Sequence, residues 1–81
     1  MKKYIMTSNT YFANTSYNFY GIALIIEERG QIEVLEEYNC LTENEAYLRY
    51  LVKLCNDLNL PQADFQSIVE DFIVSKAKNL K

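Results

Sequence analysis

Aromatic and β-branched residues crowd the first half of the chain, and apolar residues at helical spacing fill the second, with the change near Asn39. Tyr17 to Glu27 and Gln31 to Asn39 read as two strands, because such residues suit a pleated surface, and Glu28-Arg29-Gly30 lies between them as a hairpin tip. Two registers compete. A two-residue loop, Arg29-Gly30, sets Ile26 opposite Glu33 and Ile22 opposite Glu37. A three-residue loop with Gly30 in the left-handed position of a bulge sets Ile26 opposite Ile32, Leu24 opposite Val34 and Tyr20 opposite Tyr38. The second collects apolar residues on one face, and register follows that pattern, so the three-residue loop is the expected one. Phe19, Ala23, Ile25 and Leu35 then point away from the main core, among Glu27, Glu33 and Glu37.

Upstream, Lys2 to Phe12 alternates weakly, and Ala13-Asn14-Thr15-Ser16 has the composition of a turn. This predicts a first strand antiparallel to the second, the alternative being that residues 1–12 form a loosely held arm. Downstream, Thr42-Glu43-Asn44-Glu45 has the form of a capping box, Thr42 capping and Glu45 at the third helical position. Tyr47, Leu51, Leu54 and Leu58 make one apolar row and Leu48, Val52 and Cys55 another, which predicts a largely buried helix ending near Asn59. Pro61 suits the first turn of a second helix, in which Phe65, Ile68, Val69, Phe72, Ile73 and Ala77 share a face. A connection of about two residues would force the helices into an antiparallel or sharply angled pair. The expected architecture is α+β: a three-stranded antiparallel β-meander followed by two helices packed on one face, βββαα, as a single domain over residues 1–81.

Length and composition narrow the function. At 81 residues there is room for one core only, and an apolar share of 49% with a charged share of 23% is that of a globular chain, not a disordered one. The net charge of −3 argues against coating a nucleic-acid duplex. With no His and two Cys, nearly all zinc, haem and triad chemistry is removed, so no cofactor and no metal are expected. Lys2-Lys3 opens like a secretion signal, but the apolar stretch stops at Met6, and the longest apolar run, Ile22 to Ile26, is far too short for a membrane span. A cytoplasmic chain with Cys40 and Cys55 as buried, reduced thiols is the expectation. Asn14-Thr15-Ser16 fits a glycosylation sequon that such a setting leaves unused.

The acidic neighbours Glu27-Glu28, Glu36-Glu37 and Glu70-Asp71 diverge on a strand or a helix, so none of these pairs converges on a substrate by local geometry. Two Gly residues cannot build a phosphate-cradling loop. The chain reads as no enzyme. Its charge map says more: residues 27–45 hold seven Glu and one base, Arg29, a local charge of −6, while Lys76, Lys78 and Lys81 gather at the end. Seven Tyr are present, and six of the eleven aromatics lie in the first twenty residues, among polar neighbours. Tyr suits interfaces because its ring is rigid and its hydroxyl can stay wet. Stacking of bases on these aromatics would need adjacent Lys or Arg, and residues 4–28 contain none.

Tyr20-Gly21-Ile22 opening the second strand, the Gly30 hairpin, two short helices and Ile68-Val69-Glu70-Asp71-Phe72 in the last one resemble a family of short uncharacterised bacterial proteins, grouped as a domain of unknown function. The resemblance runs from about Tyr17 to Ile73 and implies the architecture and a bacterial or phage setting. It implies no activity. The function expected is a non-catalytic protein-binding module that docks on a partner protein through Tyr11, Tyr17, Phe19, Ile25, Leu35, Glu33 and Glu37, with no direct nucleic-acid or membrane contact. One alternative is an acidic inhibitor of a basic nucleic-acid enzyme, of the kind phages use against CRISPR effectors. A structural homodimer is another.

Overall fold

The computed structural model describes the backbone of residues 1–12 and 16–79 and the side chains of residues 1–8 and 18–74. Three antiparallel strands, β1 (Lys2–Phe12), β2 (Ser16–Glu28) and β3 (Gln31–Thr42), form one open sheet in the order β1-β2-β3. Two helices follow, α1 (Glu45–Asp57) and α2 (Gln62–Asn79). The expected βββαα architecture is therefore the observed one, and residues 2–12 are a strand, not an arm. The turn expected at Ala13 to Ser16 falls on residues 13–15, outside those described. The molecule measures 42 × 27 × 17 Å. A sheet and a packed layer lie roughly 10 Å apart, so the short dimension holds one sheet and one helical layer.

The strand pairings explain which residues meet the helices. Tyr4, Ile22 and Leu24 share a buried cluster with Leu48, Leu51 and Cys55 of α1 and Phe65, Val69 and Phe72 of α2. Phe65 is the hinge of this cluster: its ring meets Tyr4 of β1 edge-on at 4.9 Å and Tyr38 of β3 at 5.0 Å. Tyr47 of α1 packs edge-on against Phe72 at 4.6 Å. Both helices thus present the rows expected of them, except that Leu58 and Ile73 are largely exposed; the side chain of Ala77 lies outside those described.

Both ends of α1 differ in detail from expectation. Asn44 is the N-cap, its Oδ1 accepting from the Tyr47 backbone N–H at 3.0 Å. Thr42 instead ends β3, fully buried, and its hydroxyl accepts from the Asn44 N–H at 3.0 Å. Asn is the stronger cap of the two, and β3 runs on through Thr42, which leaves Asn44 at the helix start. At the other end Asn59 takes a left-handed φ of 49°, the Leu60 N–H bonds the Cys55 carbonyl and the Asn59 N–H bonds the Asn56 carbonyl. This is a Schellman termination with Asn where Gly is usual. The helices are joined by the four residues from Leu58 to Pro61, not two.

Asn56 also seals an edge of the sheet. Its side-chain amide accepts from the Tyr4 N–H at 2.8 Å and donates to the Tyr4 carbonyl at 2.9 Å, as a neighbouring strand would. The Tyr4 hydroxyl donates to the Leu60 carbonyl at 2.7 Å, and burial raises the pKa of that hydroxyl before any effect of nearby charges. Asn56→Ala is expected to cost about 1–3 kcal/mol, because two part-buried backbone groups lose their partners. Urea denaturation checks this, and a loss below a few tenths would contradict the role given to Asn56.

Candidate functional site

The face of the sheet turned away from the helices follows from the register. Residues directly opposite in an antiparallel ladder share a face, and neighbours along a strand alternate. Since Leu24 and Tyr4 meet the helices, Ile25 faces the other way, together with its partners Lys3 on β1 and Val34 on β3. The same side holds Ala23 between Ile5 and Glu37, and Glu27 opposite Ile32. Ile32 and Val34 are 61% and 52% exposed. Ala23 and Ile25 are buried although they lie outside the helix-covered cluster. Lys3 of β1 reaches diagonally to the neighbouring strand and pairs with Glu27 of β2 at 3.3 Å.

This register corrects the expected one. The tip is a two-residue turn with Arg29 at φ 54° and Gly30 at φ 79°, the conformation whose twist matches a hairpin. Ile26 therefore faces Glu33, and Ile32 faces Glu27. No single register runs along the whole ladder. Two irregularities break it: Leu24 pairs with Glu36 while Ile25 pairs with Val34, and Tyr20 pairs with Thr42 while Ile22 pairs with Tyr38. The first leaves Leu35 over as a bulge on the helix side, where the two-residue turn already puts it, and Leu35 packs half-buried against the cluster. Ile32 and Val34 stay on the bare face in its place.

The second irregularity fits Asn39, Cys40 and Leu41 against the single residue Gly21. A Cβ on Gly21 would lie 2.3 Å from the Tyr38 carbonyl oxygen, 2.7 Å from the Asn39 Cα and 2.8 Å from the Thr7 hydroxyl oxygen. β3 thus crosses closely over β2 there, and the Thr7 hydroxyl of β1 donates to Asn39 Oδ1 at 3.1 Å. The bare face is closed at this end and open from Ala23 to the hairpin tip. Toward the tip an open depression of about 570 Å³ lies mainly on the helix side, lined by Ile26, Glu28, Gln31 and Glu33 together with Arg29 and Ile32.

The residues expected to dock are thus only partly brought together. Glu37 is exposed on the bare face. Phe19 is half-buried, an even number of residues from Ala23 and so on the same side. Ile25 lies on that face but is sealed, only 2% exposed. Leu35 belongs to the helix side, and Glu33 is exposed opposite Ile26, also toward the helix side. Tyr11 and Tyr17 face each other across β1 and β2; their side chains lie outside those described. Ile32 and Val34, assigned to the core by the pattern, are instead exposed apolar residues of the bare face. Only the turn type at Arg29-Gly30 could have pointed to them.

On the helix side Tyr38 donates its hydroxyl to Glu36, and Gln62 of α2 donates to the other Glu36 oxygen at 3.2 Å. The bond to Glu36 is the main cause that pushes the Tyr38 hydroxyl up to about 12, with burial and the charges of Glu36 and Glu70 adding to it. A folded pKa above the ordinary value near 10 means the neutral hydroxyl supports the fold. That support is complete below pH 10 and is lost as pH rises from about 10 to about 12. Tyrosinate absorbance is expected to show a late titration near pH 12 that Tyr38→Phe removes; a titration unchanged by that substitution would refute the assignment.

Cys55 is buried, and burial raises its thiol pKa, whereas Cys40 is exposed at φ 60°, a correction to the expected pair of buried thiols. Among the described residues no group of three Cys, Asp or Glu could hold a metal ion, and no helix is long and apolar enough to cross a membrane. Comparison of the chain with family models, with curated proteins and with solved structures returned no match in any of the three.

Proposed function

We propose that the chain is a non-catalytic protein-binding module whose docking surface is the helix-free face of the sheet. The observation that carries this reading is the adjacent pair Ile32 and Val34, each more than half exposed on the side that no helix covers. Completing the burial of two side chains that are 61% and 52% exposed would release roughly 1–1.5 kcal/mol each, and the buried Ala23 and Ile25 lie beside them on the same face. Edge pairing is a weaker route. β1 is closed at Tyr4 by Asn56, and β3 carries two irregularities and the side chains of Glu33, Glu36 and Glu37, devices that blunt an edge.

The test is capture from the native host with the tagged chain and with Ile32→Glu/Val34→Glu. Because both positions are exposed, the double variant is expected to melt close to the wild type while losing whatever the wild type retains. Equal capture by both chains would overturn the reading. So would an empty wild-type capture together with a monomer at high concentration.

A further inference from the structure

Resting on that docking reading, we infer that the occupant of the helix-free face is a second copy of this chain, related by a two-fold axis that crosses β3 at the level of Ile26. The register supplies the symmetry. Ile32 lies level with Glu27 and Val34 level with Ile25, one residue to either side of Ile26. A two-fold axis there, perpendicular to the strands and parallel to the sheet, lays Ile32 of one copy over Val34 of the other, and the reverse. The exposed apolar pair is its own complement.

The charges obey the same axis. Glu37 is level with Ala23, three residues from Ile26 on one side, and Arg29 at the tip is three residues from it on the other. With a strand rise of about 3.3 Å per residue, each sits about 10 Å from the axis, so Glu37 of each copy faces Arg29 of the other across sheets about 10 Å apart. Among the described residues neither Arg29 nor Glu37 makes an ion pair within the chain. Glu27, the other acid on this face, is already paired with Lys3. A face meant for a basic partner would have no use for an unpaired Arg at the rim. Here one free cation and one free anion flank an apolar pair at equal distances, which is the pattern an isologous contact requires. The face is small beside the roughly 800 Å² per partner of standard interfaces, so the association is concentration-dependent.

Sedimentation equilibrium of the full chain over a wide concentration range is the test. The wild type is expected to approach twice the 9.5 kDa chain mass. Ile32→Glu is expected to move the midpoint to at least about tenfold higher concentration, as loss of a central apolar anchor does. Glu37→Arg and Arg29→Glu should each weaken association, and the two together should restore most of it, since the swap recreates the pair. Melting curves of each variant show that it remains folded. A wild-type monomer at every concentration overturns the inference, and so does a dimer indifferent to Ile32→Glu or a charge swap without recovery. If the chain is monomeric and the host capture still depends on Ile32 and Val34, the occupant is a different protein and the docking reading stands. If it is monomeric and that capture is empty, both fall.

Discussion

Gly21→Ala is expected to cost about 3 kcal/mol, at the upper end of what overpacking does, and to lower the melting temperature by on the order of 15 °C for a domain of this size. The reason is steric, not conformational: two of the three nearest atoms to a Cβ at this position are backbone, the Tyr38 carbonyl oxygen at 2.3 Å and the Asn39 Cα at 2.7 Å. Neither can rotate away. Relief would require β3 to lift off β2, which breaks the Thr7 to Asn39 hydrogen bond and disturbs Thr42, the fully buried residue that leads into α1. Two controls isolate the cause. Thr7→Ala combined with Gly21→Ala removes only the side-chain contact and is expected to recover little. Gly30→Ala meets no atom within 4 Å but must hold a φ of 79°, so it is expected to cost about 1–2 kcal/mol through the left-handed backbone alone. Thermal denaturation followed by circular dichroism reads all three. A Gly21→Ala chain melting within a few degrees of the wild type would mean that the crossing of β3 over β2 is wrong, and with it the closed end of the bare face.

The same crossing marks where the sequence stops being legible. Helical periodicity is local, so Leu48, Leu51, Cys55, Phe65, Val69 and Phe72 could be placed in the core from spacing alone, and all six are buried there. Strand alternation is local too, but the partner of each strand residue is not. Val34 and Leu35 are neighbouring aliphatics, and nothing in their order says that a two-residue turn will set Val34 on the bare face and Leu35 toward the helices, or that a bulge will then keep Glu36 on the helix side as well. That bulge answers to packing on the helix side. It lets Glu36 and Tyr38 both face α2, where Gln62 and Phe65 meet them. The tip answers to twist, which favours a two-residue turn even with Arg at its first position. A face-by-face reading therefore placed Phe19, Ala23 and Ile25 on the side of the sheet that the helices leave bare and chose the wrong residues of β3 to join them. Ile25 is on that side as expected, but it is only 2% exposed there, a property that alternation cannot express. Asn56 was invisible for a similar reason, since its two bonds reach a strand more than fifty residues away.

Phe65→Ala is expected to lose about 4–5 kcal/mol, the top of the range for a buried aromatic, because the ring fills the core and makes two edge-on contacts that each add roughly 0.5–1.5 kcal/mol. The net stability of a domain of this length is only about 4–12 kcal/mol, so much or all of it would go. Urea denaturation is expected to show a greatly lowered midpoint or no folded baseline. Phe65→Leu keeps most of the volume, loses both ring contacts, and is expected to cost about 2 kcal/mol, which keeps the position measurable if the alanine variant fails to fold. The size of the effect follows from where the ring sits. Phe65 is the residue of α2 that touches both outer strands, Tyr4 on β1 and Tyr38 on β3. It therefore holds the two sides of the open sheet to one helix. The two outer strands are also joined through β2 and, at the far end, by the Thr7 to Asn39 bond. Loosening Phe65 should then free β3 more than α1, and hydrogen exchange on Phe65→Leu is expected to rise first at the β3 amides that pair with β2. Equal acceleration over α1 and β3 would show that the ring is simply one more piece of the core, with no special hold on the strand that carries Ile32 and Val34.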